Sequence, residues 1–235
     1  MTKTISPSTG LGNPGTYLLA TVGCIILEGI TVFDRFAQRA FFRGTWAISK
    51  SFHNGYKHLL YTGPKIAIIA VGICLLALLI STFVSLSAGQ RFMQWRKPVL
   101  LVLCSLALVP LFVAILKGIS GVYSPVDLVP YGGKFPHIGV IEQLYRYGEV
   151  AGGRSFPAGH ASGGFALMAL YYLPVRDAGK KGLFAFGLIA GWAMGIYQMA
   201  RGEHFLSHTM TSMFLALAII TLLERVLRTA PREAT

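Results

Sequence analysis

Four apolar runs, at 66–86, 99–116, 182–200 and 205–223, contain no Asp, Glu, Lys or Arg. A helix rises about 1.5 Å per residue and a bilayer's hydrocarbon core is about 30 Å thick, so a run of roughly 20 apolar residues is a candidate crossing. Within hydrocarbon each backbone polar group must be satisfied inside its own segment, which makes these runs helices. The stretch 17–33 is a fifth candidate that carries Glu28 in an otherwise apolar run, and 161–175 is a sixth, short for a full crossing. The expected fold is all-α: a polytopic membrane protein in which 1–235 form one membrane-embedded domain, a bundle of six transmembrane helices.

Composition agrees, with 54% hydrophobic and only 13% charged residues, against about 25% charged in soluble domains. The net charge of +12 is scattered through the connections and forms no stripe on a soluble module. It suits an anionic membrane surface and argues against nucleic acid as a partner. Cys24, Cys74 and Cys104 all fall in expected spans, where they serve as small packing residues, and no disulfide or zinc framework is implied. Residues 1–16 lack the pattern of a cleavable leader, so the first span is expected to remain in the protein.

The connections give the bundle a direction. Arg91, Arg96 and Lys97, then Arg176, Lys180 and Lys181, then Arg225, Arg228 and Arg232 mark one side as cytoplasmic. The longer connection 34–64 mixes Arg35, Arg39, Arg43, Lys50 and Lys57 with Phe41, Phe42, Trp46 and Phe52, and reads as an amphipathic segment in the headgroup region. Three sets of polar residues then reach the opposite, outer face: Lys117 at the end of the third span, the turn from Arg154 to His160 that opens the fourth, and Arg201, His204 and His208 around the start of the sixth. Between the first two runs a long loop broken by Pro125, Pro130, Gly132-Gly133 and Pro136, of the kind that is functional or disordered. It reads as an outer catalytic loop whose Tyr131-Gly132-Gly133-Lys134 turn and Asp127 wall a headgroup pocket, or as a solvated connector.

The turn Arg154-Ser155-Phe156-Pro157-Ala158-Gly159-His160 has the chemistry of an anion site. Pro157 suits a first helical turn, and Ala158 and Gly159 leave backbone NH groups uncovered where the helix dipole favours negative charge. His204 and His208, spaced i, i+4, share a helix face, with Arg201 close to it. Such a pair can bind a metal, or one ring can be a nucleophile that the other orients.

The order Lys117, Pro157-Ala158-Gly159-His160, then Arg201 with His204-Phe205-Leu206-Ser207-His208 resembles the type 2 phosphatidic acid phosphatase superfamily, in its bacterial integral-membrane branch. That family's signature runs Lys-x6-Arg-Pro, Pro-Ser-Gly-His, Ser-Arg-x5-His-x3-Asp. Here Ser124-Pro125 stands for Arg-Pro, Ala158 for the serine, Gln198 for the third-motif arginine and His208 for the aspartate. The ending also resembles a bacterial subgroup with Arg-Gly-x-His-Phe-Leu-Ser-His and a Tyr-Gly-Gly loop.

The resemblance implies a lipid phosphatase that hydrolyses a phosphate monoester or diphosphate through a phosphohistidine, with no cofactor and no metal. By this reading His204 attacks phosphorus, His160 handles the leaving-group proton, and His208 accepts a hydrogen bond from the second nitrogen of His204; His208 as nucleophile is the alternative. Lys117, Arg154, Ser155, Arg201 and the NH groups of Ala158 and Gly159 hold phosphate, and Asp127 is a possible orienting carboxylate. The implied substrates are polyprenyl diphosphate, phosphatidic acid, phosphatidylglycerophosphate or lipid A, reached from the periplasmic face of a bacterial inner membrane. Other readings are a lipid phosphotransferase with the same intermediate, a metal-dependent membrane hydrolase, and a non-catalytic lipid-binding or transport protein. The oligomeric state is left open.

Overall fold

The computed structural model describes residues 10–29, 31–84, 93–146 and 152–229, and its regular structure there is helical apart from two isolated bridges. Helix α1 spans Pro14–Gly29 and α2 Thr31–Gln38. Ser49 then caps α3, Lys50–Lys57, by accepting from Phe52 N at 3.1 Å, and a wider turn at His58–Thr62 carries the chain into α4, Gly63–Val84. Helix α5 is Arg96–Ile119 and the short α6 is Val140–Tyr145. Helix α7, Gly159–Ala166, continues as a tighter 3-10 segment, Leu167–Tyr172; α8 is Asp177–Ala200 and α9 is Leu206–Thr229.

Four helical stretches are long and apolar enough to cross a membrane: Lys50–Phe83, Met93–Ile119, Asp177–Ala200 and Leu206–Leu227. A fifth arises only if α1 and α2, which meet at an 82° bend, are taken together. The multi-pass helical fold stands, and two of its segments are more divided than expected. The segment expected as the span 161–175 is not one long α-helix: it is helical over Gly159–Ala166 and Leu167–Tyr172 and packs at the centre of the bundle on α4, α5, α8 and α9. Its apolarity reflects burial in protein: Ala161, Phe165, Ala166, Met168 and Ala169 have no exposed surface. The expected amphipathic segment 34–64 is likewise not one surface element, because its second half is helical from Lys50 and extends the following span outward. The end of the expected span 66–86, and Arg91 and Arg232, lie outside the described residues.

Apolar side chains gain little by leaving lipid for each other, so helices in a membrane associate by close packing. Glycine supplies that closeness between α7 and α8. A methyl at Gly164 would stand 2.6 Å from Gly191 Cα, and one at Gly187 would stand 2.3 Å from Met168 N. Two buried hydroxyls, one on α5 and one on α9, return to their own helix: Ser105 Oγ donates to Leu101 O at 2.8 Å, and Thr211 Oγ1 to Ser207 O at 2.8 Å. Such bonds satisfy the hydroxyl without a partner helix. Helix α1 lies along α9, and α2 turns its buried Asp34 and Gln38 toward the end of the bundle where α5 stops and α7 and α9 begin.

Candidate active site

The 152–158 turn is wedged between two helix ends. On one side Gly153 N donates to Gly121 O at 2.7 Å, Ser155 N to Val122 O at 2.8 Å, and Ser120 Oγ to Phe156 O at 2.6 Å, all just beyond α5. Gly153 passes so close that a methyl there would stand 2.6 Å from Tyr123 Cα. On the other side Ala158 N donates to His208 O at 3.1 Å, Ser212 Oγ to Ala158 O at 3.0 Å, and Ser155 Oγ to Glu203 O at 2.6 Å. Lys117, Arg154, Ser155, His160, Arg201, His204 and His208 are thereby gathered at one end of the bundle.

Ser155 organises the histidines. Its Oγ lies 3.2 Å from His204 Nδ1 and 3.3 Å from His208 Nδ1. A hydroxyl has one proton, and this one goes to the Glu203 carbonyl, so toward both rings Ser155 accepts. Both imidazoles therefore carry their proton on Nδ1, and each Nε2 presents a lone pair. The expected bond from His204 to His208 is not formed. The rings are 5.8 Å apart between centroids, with the Ser155 hydroxyl bonded to both. His208 is fully buried, edge-on to Phe156 and Phe205, and its Nε2 has no partner.

Burial, then the Lys117 ammonium, pushes His204 down to about 3. His160 is pushed down to about 4 by burial, with Lys65, Arg201 and Lys117 adding to it. Both rings are neutral near pH 7. Neither nitrogen of His160 has a hydrogen-bond partner, and its ring stacks on Tyr61 at 4.3 Å with 4° between planes.

The cations surround this group. A methyl at Gly159 would stand 3.8 Å from Lys117 Nζ, which sets the lysine over the start of α7. Arg154 reaches the end of α5, where a methyl at Gly118 would stand 4.0 Å from its Nη2. Lys65 Nζ sits 4.3 Å over the Tyr61 ring. Arg201 is held by Gln198 Oε1 at 2.6 Å and Glu203 Oε1 at 3.0 Å, so the glutamine in the expected arginine position fixes the arginine one turn on.

Three expected phosphate or orienting contacts are corrected. Ser155 Oγ gives its proton to Glu203 O, and Ala158 N gives its own to His208 O, so neither donates to an anion; Gly159 N and His160 N, in the first turn of α7, lack intrahelical acceptors. Asp127 enters through its backbone, its carbonyl accepting from Lys134 N at 2.8 Å and Phe135 N at 2.9 Å. The carboxylate that meets the start of α9 is instead Asp34, which accepts from Ser207 N at 2.9 Å and from Ser207 Oγ in a short bond. Asp34, Tyr61 and Lys65 carry no motif. No signal in the sequence singled them out.

A family model described as the PAP2 superfamily matches residues 98–232, more than half the chain and all ten expected site residues. The chain belongs to the PAP2 superfamily. A crystal structure of a transmembrane PAP2 type phosphatidylglycerolphosphate phosphatase from Bacillus subtilis superposes with a TM-score of 0.54 at 18% identity, covering 94% of this chain and 99% of that one. At that identity the likeness is one of fold. No curated protein matches the chain. The PAP2 match begins within α5, so Asp34, Trp46, Tyr61 and Lys65 come from outside it.

Proposed function

We propose that this protein is a lipid phosphatase of the inner membrane of a bacterium, hydrolysing a phosphate monoester or diphosphate through a phosphohistidine on His204, with its site on the periplasmic face. Membership in the PAP2 superfamily and the multi-pass fold support a membrane phosphatase. The observation that carries the mechanism is the Ser155 hydroxyl, which holds His204 by Nδ1 and leaves its Nε2 lone pair for attack.

His204 Nε2 attacks phosphorus, and the bond from phosphorus to the leaving oxygen breaks. His160 gives that oxygen a proton, then takes one from the water that attacks the phosphohistidine, releasing phosphate and restoring His204. Lys117, Arg154, Arg201 and the first NH groups of α7 balance charge on the phosphoryl oxygens. Lys65 adds a further cation beside His160. A bound phosphate also raises His160 from its empty-site value of about 4, so that it arrives charged as the acid. The periplasmic placement of the site is supported by the basic connections at the opposite face.

The test is phosphate release by the purified full chain from phosphorylated lipids with EDTA present, beside His204→Asn. Release should fall by at least about 10³-fold in the variant, and acid-quenched wild-type protein should hold acid-labile, base-stable phosphate. Activity that survives in His204→Asn, or appears only when a divalent metal replaces EDTA, overturns this mechanism.

A further inference from the structure

A second cavity, of about 670 Å³, opens beside the catalytic turn. Its aromatic wall is Phe42, Trp46 and Tyr131, whose ring centroids lie 4.9 to 5.4 Å apart. Lys50 and Asn54 of α3 line it too, and Arg201 and Glu203 form the side it shares with the phosphoryl site. Glu203 O accepts from Ser155 Oγ, which also holds His204, so the cavity wall formed by Arg201 and Glu203 borders the place where a phosphate would meet His204.

The wall is fixed to the turn. A methyl at Gly202 would stand 2.5 Å from Trp46 Cε2 and Cζ2, and Gly202 has φ +77°, so only glycine accepts both the backbone and the indole. Ile48 N donates to Ala200 O at 3.0 Å, and Val126 N to Gly202 O at 2.8 Å. Phe42 and Trp46 lie outside the residues matched to the PAP2 superfamily, and Tyr131 lies inside them.

Resting on the phosphatase reading above, we infer that the substrate carries its phosphate on a sugar: a phosphorylated glycolipid whose ring occupies this cavity. A sugar has C–H faces that lie against aromatic rings and hydroxyl edges that meet donors and acceptors. The cavity offers three rings beside an ammonium, an amide, a carboxylate and a guanidinium, and its volume falls in the range of about 300–1,000 Å³ usual for small-molecule sites. The alternatives fit poorly. An acyl chain would strand the polar groups without partners. A second phosphate would face the Glu203 carboxylate, which lines the cavity and repels it. A quaternary ammonium needs an open cage, whereas these rings pack on one another and Lys50 would repel it.

The experiment compares two lipids of equal acyl content, diacylglycerol phosphate and a diacyl glycoside phosphorylated on its sugar, with the full chain in a detergent that has no sugar headgroup. The expected kcat/KM is at least about ten-fold higher for the glycoside, the size of discrimination that unpaired pocket groups impose. Trp46→Ala should lower that ratio by a similar factor, and Lys50→Ala, which leaves the packing on Gly202 untouched, should lower it too. A ratio near one that neither variant changes overturns the sugar site and leaves the phosphatase standing. Release from neither lipid overturns the phosphatase, and the cavity is then judged by titrating the unphosphorylated diacyl glycoside against intrinsic fluorescence. A saturable change that is lost in Trp46→Phe supports the sugar site; no change overturns it as well.

Discussion

Ser155 has a hydroxyl with one proton and three neighbours, and its partners decide what it can do for a substrate. With the proton on Glu203 O and both imidazole Nδ1–H groups donating to it, Ser155 orients His204 without touching phosphate. Ser155→Ala should therefore lower kcat by about 10²-fold, the scale of a lost positioning contact, while KM stays within about two-fold; a phosphate ligand would instead raise KM. Steady-state kinetics on any cleaved lipid separates the two. His160 gives a second expectation at this scale. It is neutral in the empty site, at about 4, and an anion beside it draws a proton onto the ring. Binding of inorganic phosphate at pH 6 should take up a fraction of a proton, measured by calorimetry in buffers of different ionisation enthalpy, and His160→Asn should abolish it. Lys117, His160, His204 and His208 were legible because each adjoins an apolar run in an order that few residue types could share. The direction of the Ser155 proton was not, since it depends on a carbonyl 48 residues away.

Helix α7 shows how an element can be apolar for two reasons. Lipid contact and burial at the centre of a bundle select the same side chains, and hydropathy along 161–175 cannot separate them. The distinguishing trait is glycine: Gly164, Gly187 and Gly191 bring α7 and α8 to backbone contact. Gly187→Ala places a methyl against Met168 N, where no side chain can yield, and should destabilise the protein by about 1–3 kcal/mol. Gly182, near the start of the same helix, has nothing within 4 Å of the equivalent methyl. Gly182→Ala should be neutral or stabilising by up to about 1 kcal/mol. Thermal melting of the two variants in one detergent tests the contrast; equal losses would mean that the contact does not constrain the bundle. Helix α2 was illegible for a different reason. Asp34 stands in a connection whose composition announced only a membrane surface, and it reaches Ser207 by a fold-back that no local periodicity encodes.

Across the whole molecule, the site is built by enclosing neutral histidines among fixed cations, and the enclosure has a consequence for stability. His204 and His160 titrate near 6.5 when unfolded and are held at about 3 and about 4 in the fold. Between those values the unfolded chain binds more protons than the folded one, so stability rises with pH there. Their full contribution is present above about pH 6.5 and is lost as pH falls toward 4 and then 3. Each contributes a slope of up to about 1.4 kcal/mol per pH unit inside its window. Wild-type protein should therefore melt at a lower temperature at pH 5 than at pH 7. A variant that replaces both rings with groups that do not titrate, His160→Asn with His204→Asn, should lose less between the same two pH values, whatever its stability at pH 7. The difference of differences isolates the two histidines from the carboxylates, which are present in both proteins. Equal slopes would mean that water or an anion reaches these rings in the folded state, and the pocket around His204 would then be more open than the Lys117 to His208 packing describes.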